Sequence, residues 1–129
     1  MSFFGKMFDK KADDKESLPH VFWNCLEEVS FDAIEKQSFE KPIVIFKHST
    51  RCSISRFVWN RFQQDYDIPD EKAVVYYLDL LAYRSISNEI AEKFGVIHQS
   101  PQVIVLKEGK AVYNASHDAI EVEKLKFLL

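Results

Sequence analysis

The fold is decided by the stretch Phe46-Lys47-His48-Ser49-Thr50-Arg51-Cys52-Ser53-Ile54-Ser55-Arg56, in which an unbroken apolar run gives way to a polar loop. Residues 43–46 have the pattern of a buried strand, and the residues that recur afterwards at helical spacing are Ile54, Phe57, Val58 and Phe62. Cys52 is therefore predicted to lie at a strand-to-helix junction. Because the N-terminus of a helix stabilises an anion, we expect this cysteine to ionise more readily than a free one.

Length predicts one domain, over residues 18–129, preceded by a charged tail over residues 1–17. The tail is expected to be solvated, or to form a short amphipathic segment that contacts a partner or a membrane surface. The net charge of −3 is small, and the scattered Lys and Arg residues argue against nucleic acid as a partner. No apolar run is long enough to cross a bilayer and no signal peptide is evident, so we expect a cytoplasmic protein.

The two cysteines, Cys25 and Cys52, are too few for a disulfide framework and lack the spacing of a structural zinc site. We therefore predict no metal and no tightly bound cofactor. Cys25 falls in an apolar stretch, where a buried small side chain is its more common role, although a resolving thiol is the alternative.

Periodicity along the chain predicts the element order β-α-β-α-β-α-β-β-α. The first strand is expected over residues 21–26, a helix capped by Ser30 follows, and a central strand covers residues 73–78. The third helix should have Ser85 or Ser87 as its cap and Gly95 as its terminator. A hairpin with a turn at residues 107–110 comes next, and residues 118–121 have the spacing of a capping box for the last helix.

This order resembles the thioredoxin fold over roughly residues 21–129, with a central mixed sheet flanked by helices. Two landmarks carry the resemblance. One is the cysteine at the strand-to-helix junction, and the other is Ser100-Pro101, which matches the cis-proline that lies beside the reactive cysteine in that fold. Trp59, Tyr76 and Tyr77 are expected to be packing residues.

Thioredoxins carry a second cysteine three residues after the first, but here the matching residue is Ser55. The motif Cys52-Ser53-Ile54-Ser55 contains no second thiol that could resolve a mixed disulfide, which implies a monothiol cycle completed by an outside thiol. Ser55 lies one helical turn further on, and we expect its hydroxyl to hydrogen-bond the Cys52 thiolate. Arg51 and Lys47 are expected to be flanking positive charges.

The longer string from Phe46 to Ser55 is similar to the motif of the bacilliredoxin (YtxJ-like) family, thioredoxin-fold monothiol proteins of the bacillithiol system. The resemblance implies a thiol-disulfide oxidoreductase that removes bacillithiol, or a similar low-molecular-weight thiol, from S-thiolated proteins through Cys52. The small thiol would be a co-substrate. In this family the position of Ser53 is usually a proline and that of Arg51 is commonly a threonine.

The same resemblance extends to Ser100-Pro101-Gln102 and to Ala115-Ser116-His117, on the two sides of the expected cleft. The substrate-binding residues would then be Arg51, Ser53, Ser100, Pro101, His48 and His117, with Cys52 and Ser55 as the catalytic pair. For His48 and His117, a solvated side chain at the end of an element is the alternative.

Two other functions stay open. Monothiol glutaredoxins, which carry iron–sulfur clusters, also have a serine in place of the second cysteine, but they have glycine and phenylalanine where this chain has Ser53-Ile54, and this chain lacks their double glycine before the last helix. A thioredoxin-fold interaction module without catalytic activity is the third possibility. The oligomeric state is not indicated by the sequence.

Overall fold

Five strands and four helices follow one another in the computed structural model, which describes residues 24–25 and 30–129. The elements in chain order are β1 Asn24–Cys25, α1 Phe31–Gln37, β2 Ile43–His48, α2 Ser53–Asp65, β3 Val74–Asp79, α3 Arg84–Phe94, β4 Gln102–Lys107, β5 Lys110–Ser116, a 3-10 turn at His117–Ala119, and α4 Val122–Lys126. The predicted order of elements is confirmed. The predictions for the tail at residues 1–17 and for the rest of the first strand lie outside the described residues.

The strands form one mixed sheet in the order β1-β3-β2-β4-β5. Strand β3 pairs in parallel with β1 and with β2, whereas β4 is antiparallel to both β2 and β5. The predicted central position of β3 is confirmed. With these directions, β2, β3 and β5 end at the same edge of the sheet at which β4 begins. We call it the Cys52 edge, because Cys52 follows β2 there.

Helices cover both faces of the sheet, so β2 is buried along its whole length. Successive residues of a strand point to opposite faces. Val44 and Phe46 accordingly pack with α2 and α4, whereas Ile43 and Ile45 pack with α1 and α3. Trp59 and Tyr76 are buried, and Tyr77 packs against the core that Val44 and Phe46 form with α2 and α4. All three are therefore confirmed as packing residues.

The helix ends confirm two of the predicted boundaries and correct two others. Ser30 caps α1 by accepting a hydrogen bond from the Ala33 N–H at 3.2 Å. Gly95 ends α3 in the left-handed conformation, with φ of 67°. The prediction of Ser85 or Ser87 as the cap of α3 was wrong, because the helix begins at Arg84 and Ser87 is buried within it.

The capping box predicted for the last helix was also wrong. Residues His117–Ala119 form a 3-10 turn, and α4 begins only at Val122, after Glu121, whose side chain makes no capping hydrogen bond. Val122 and Leu125 are nevertheless buried, as the spacing indicated. The helix therefore docks by its apolar side, without a side-chain cap.

Candidate functional site

Cys52 occupies the N-cap position of α2, with extended backbone angles of φ −97° and ψ 124°. Its N–H donates to the Ser49 carbonyl at 3.2 Å, and its own carbonyl accepts from the Arg56 N–H at 3.0 Å. Its thiol is free and partly exposed, and its side chain makes no capping hydrogen bond. The predicted strand-to-helix junction is therefore confirmed, with Cys52 immediately before the first turn of α2.

Ser55 lies one turn further along α2 and is fully buried. Its Oγ accepts a hydrogen bond from the Ser49 N–H at 2.9 Å and lies 2.8 Å from His48 Nδ1. Among the described residues it makes no hydrogen bond with Cys52, so the direct bond that we predicted between this hydroxyl and the thiolate was wrong. The physical reason is that Ser55 is on the sheet-facing side of α2, where its hydroxyl closes the loop from Ser49 to Cys52.

His48 belongs to β2, which continues two residues beyond the predicted end. Its side chain is 4% exposed, and its ring is stacked on Trp59 with centroids 5.9 Å apart. The pKa of His48 is lowered to about 4, mainly by burial; the charge of Asp79 opposes this lowering and that of Arg56 contributes to it. A solvated His48, one of our two alternatives, is therefore wrong, and the ring is neutral at pH 7.

Lys47 is fully buried on the other face of β2. Its Nζ donates to the carbonyl of Ser87 in α3 at 3.1 Å. Burial, and to a smaller extent the charge of Arg84, lower the pKa of Lys47 to about 8. The prediction of an exposed flanking charge was wrong, because β2 includes Lys47 and α3 packs over this part of the strand.

The cross-strand neighbour of Lys47 is Gln102, which is fully buried as well. Its Nε2 donates to the Ile97 carbonyl at 2.9 Å, while its Oε1 has no hydrogen-bond partner among the residues that the structure describes. His98 Nδ1 lies 3.2 Å from Ser87 Oγ. Burial lowers the pKa of His98, and the charge of Lys47 lowers it to a smaller extent. A polar cluster thus lies between α3 and the Cys52 edge.

Sequence reasoning did not predict this polar cluster. The available signal was that Lys47 and Gln102 interrupt two otherwise apolar strands. Ser87 and His98 gave no such signal, because neither residue departs from the pattern of its surroundings.

Ser100 and Pro101 are joined by a cis peptide bond, as the resemblance to thioredoxins implied. Pro101 is buried and Ser100 is half-buried at the start of β4. The Pro101 carbonyl accepts a hydrogen bond from the His117 N–H at 3.0 Å, while the His117 side chain is exposed. The sheet directions therefore bring the loops that carry Cys52, Pro101 and His117 to one edge.

The remaining predicted site residues, Arg51 and Ser53, are exposed on either side of Cys52. Two apolar residues of α2 are also exposed, Ile54 by 60% and Phe57 by 66%, although Val58 and Phe62 are buried. The helical periodicity was predicted correctly. The prediction that Ile54 and Phe57 belong to the buried side of α2 was wrong. The buried residues of the helix include Ser55, Val58, Trp59 and Phe62.

Neither a metal cluster nor a membrane-spanning helix is found in the part of the chain that the structure describes. Within residues 24–25 and 30–129, no group of three or more His, Cys, Asp or Glu residues is placed to hold a metal ion. No helix in these ranges is long and apolar enough to cross a bilayer.

Comparison with known proteins gives both a family and a fold. Residues 25–125 match the model of the family described as monothiol bacilliredoxin BrxC. A solved structure described as a candidate oxidoreductase with a thioredoxin fold is 32% identical, with 76% of this chain and 87% of that chain covered and a TM-score of 0.62.

Two thioredoxins show the same fold at lower identity. Thioredoxin from Malassezia sympodialis (Mala s 13) is 22% identical, with 86% of this chain and 90% of that chain covered and a TM-score of 0.60. Thioredoxin f from spinach chloroplast is 18% identical over 77% of this chain and 82% of that chain, with a TM-score of 0.55. The predicted thioredoxin-like α/β fold is therefore confirmed.

Proposed function

This chain belongs to the monothiol bacilliredoxin family of thioredoxin-fold thiol oxidoreductases, and we propose that it removes bacillithiol, or a similar small thiol, from S-thiolated proteins. One observation carries the proposal. A free, partly exposed cysteine occupies the N-cap position of α2, and the residue at the position of a second cysteine is a buried serine whose hydroxyl contacts Ser49 and His48.

In the first step, the Cys52 thiolate attacks the small-thiol sulfur of a protein mixed disulfide. A disulfide forms between Cys52 and the small thiol, the original disulfide breaks, and the protein cysteine leaves as a thiolate that takes a proton from solvent. The position of Cys52 favours this step, since the N–H groups at the start of α2 stabilise the attacking anion.

In the second step, a second molecule of the small thiol, as its thiolate, attacks the small-thiol sulfur held by Cys52. The products are the oxidised small-thiol dimer and the regenerated Cys52 thiolate, so electrons flow from the free small thiol to the protein substrate. The motif itself cannot complete the cycle, because Ser55 has no thiol and its hydroxyl faces Ser49 and His48.

The position of Cys25 supports an outside thiol as the reductant. Cys25 lies in β1 and is in register with Tyr77 of β3, while β3 separates β1 from β2. Two strand spacings place its Cα about 10 Å from the backbone of β2. A disulfide needs Cα atoms within about 7 Å. Since a whole strand lies between β1 and the strand that leads to Cys52, we expect an outside thiol, and not Cys25, to resolve the mixed disulfide.

The other residues of the Cys52 edge would position the thiol and the substrate. Ser55 acts as a positioning residue, since its hydroxyl holds the loop from Ser49 to Cys52 against His48. The backbone of Ser100 and Pro101, fixed to β5 through the His117 N–H, would receive the extended substrate beside Cys52. Arg51, Ser53 and the exposed His117 side chain would contact the small thiol.

The test is the release of bacillithiol from an S-bacillithiolated protein in the presence of free bacillithiol. We expect the wild-type chain to accelerate release, Cys52→Ser to remove the acceleration, and Cys25→Ser to retain it. Acceleration that survives in Cys52→Ser, or that is lost in Cys25→Ser, would contradict the monothiol cycle. No acceleration by the wild-type chain would refute the proposed activity.

A further inference from the structure

The segment that surrounds Cys52 is strongly biased toward positive charge. Residues 41–64 contain five Lys and Arg residues and no acidic residue, although the whole chain has 20 acidic and 17 basic residues. Lys47 is buried within this segment, but Arg51 and Arg56 are exposed near the start of α2 and Arg61 is half-buried. The start of α2 is therefore cationic in a chain of net negative charge, whereas Asp65 is exposed at the end of the helix and lines the same pocket as Arg61, Glu121 and Glu123.

Apolar side chains are also exposed on the solvent side of the helix. Ile54 and Phe57, at 60% and 66% exposure, form one stripe with Arg61 at intervals of three and four residues, and Arg56 lies about 100° around the helix from Phe57. We use the name α2 face for the surface formed by Arg51, Ile54, Arg56, Phe57 and Arg61. Ile54 and Phe57 are one helical turn apart and so form a continuous apolar patch, and an exposed apolar patch bordered by charges marks a surface that binds another protein.

Two arginines of the α2 face donate hydrogen bonds to neighbouring backbone carbonyls. Arg61 Nη2 donates to the Ile120 carbonyl at 2.7 Å, and Arg61 Cζ lies 5.9 Å from the centre of the Phe57 ring. Arg56 Nη1 donates to the Thr50 carbonyl at 3.4 Å, which keeps it near the loop that carries Cys52. Arginines held in this way lose less side-chain entropy when they bind an anion.

We infer that the α2 face binds an acidic segment of the S-thiolated protein, with an apolar side chain of that segment against Ile54 and Phe57. The inference rests on the proposed function and deepens it by assigning the chemistry of the preferred substrate. Carboxylates near the thiolated cysteine would pair with Arg51 and Arg56, so that docking brings the mixed disulfide to Cys52.

The dimensions of the α2 face favour a protein segment over the small thiol alone. From Cys52 to Arg61 the helix rises by about 14 Å, which matches about four residues of extended chain. Contact with two exposed apolar side chains also suits a peptide side chain better than a polar small thiol. Electrostatic attraction of this kind acts mainly on the association rate and is weakened by salt.

The test uses two short S-bacillithiolated peptides that differ only in charge. Each has one cysteine and one leucine, and glutamates flank the cysteine in the first while lysines flank it in the second. We expect the wild-type chain to act on the acidic peptide with a kcat/KM about tenfold higher at low salt, and this ratio should fall toward one at high salt.

Two variants and two matched controls assign the preference to the α2 face. Arg56→Gln and Phe57→Ser should each lower the acidic-to-basic ratio or the kcat/KM for the acidic peptide by about threefold or more. Both values should be unchanged in Lys110→Gln and in Phe127→Ser. Lys110 is at the start of β5, at the end of the strands opposite Cys52, and Phe127 is an exposed residue after α4. All four side chains are exposed, so the variants test docking without disturbing the core.

Equal kcat/KM values for the two peptides, or equal losses in variants and controls, would overturn the inference while leaving the proposed function intact. Failure to act on either peptide would instead overturn the proposed function, and the inference with it. A preference for the acidic peptide that Arg56→Gln reduces and Lys110→Gln does not is the expected result.

Discussion

His48 Nδ1 lies 2.8 Å from Ser55 Oγ, and this contact joins the last residue of β2 to the first turn of α2 across the loop that holds Cys52. The same oxygen accepts the Ser49 N–H at 2.9 Å. One hydroxyl thus ties the end of the strand, the loop and the helix together. In the position where thioredoxins carry their second thiol, this chain has a buried side chain that shapes the loop.

The first prediction concerns this hydroxyl. Ser55→Ala leaves the buried His48 Nδ1 and the Ser49 N–H without their partner, so the free energy of unfolding should fall by about 1–3 kcal/mol. Denaturation in urea measures the change. Ser85→Ala, at an exposed serine of α3, should change it by less than about 0.5 kcal/mol. An equal, small effect in both variants would show that the Ser55 contacts do not stabilise the loop.

The second prediction concerns the pH dependence of stability. His48 has a pKa of about 4 in the folded chain and about 6.5 when unfolded, so the unfolded state binds more protons between these values. The contribution of His48 to the free energy of unfolding is therefore fully present above about pH 6.5. It falls by roughly 3 kcal/mol as the pH decreases toward 4. His48→Gln should remove that part of the loss.

The measurement is the free energy of unfolding of wild type and variant across this pH range. Carboxylates also titrate at its lower end, so the difference between the two proteins is the informative quantity. His117→Gln is the matched control, because the His117 side chain is exposed. If the His48 and His117 variants had the same pH profile, the burial of His48 would be contradicted.

The third prediction concerns the buried ammonium of Lys47. Its pKa is lowered to about 8 by burial and by Arg84, so at pH 7 it is charged in an unfavourable environment. Lys47→Met replaces it with an apolar side chain of similar size, which should raise the free energy of unfolding at pH 7 by about 1–2 kcal/mol.

This gain should shrink as the pH rises from about 8 to about 10.5, because wild type then folds with a neutral amine while its unfolded state remains protonated. Urea denaturation at both ends of this range tests the prediction. Lys110→Met, at an exposed lysine, should show no such pH dependence. A large loss of stability in Lys47→Met at pH 7 would mean that its bond to Ser87 outweighs the cost of burial.

The order of strands and helices could be predicted because the spacing of apolar residues along the chain indicates each element. The run at residues 43–46 and the spacing of Val58 and Phe62 depend only on neighbours in the chain. The junction at Cys52 and the cis bond before Pro101 followed from the resemblance to thioredoxins, and both are present.

The surroundings of the site could not be predicted in the same way, because they depend on elements distant in sequence. Lys47 is a polar residue at a strand end, and only the packing of α3 shows that Ser87 covers it. Likewise, Ile54 and Phe57 fit a helical repeat, but the position of the sheet decides which side of that helix is buried. Periodicity specifies an element, and tertiary packing decides its faces.

The fourth prediction concerns Ser53, where the family usually has proline. Ser53 is the first residue of α2, a position whose N–H has no partner within the helix, and Cys52 before it has the extended backbone that a following proline requires. Ser53→Pro should therefore raise the free energy of unfolding by about 0.4–1 kcal/mol. A destabilised variant in urea denaturation would contradict the N-cap geometry of Cys52.

The proposed cycle requires Cys52 to work as a lone thiol that accepts the small thiol onto itself. This can be observed by mass spectrometry of the intact chain when its reaction with an S-bacillithiolated protein is stopped by acid. We predict one bacillithiol per molecule, mapped to Cys52, in wild type and in Cys25→Ser alike. An internal disulfide between Cys25 and Cys52, or a wild-type chain that never carries the adduct, would rule out the monothiol cycle.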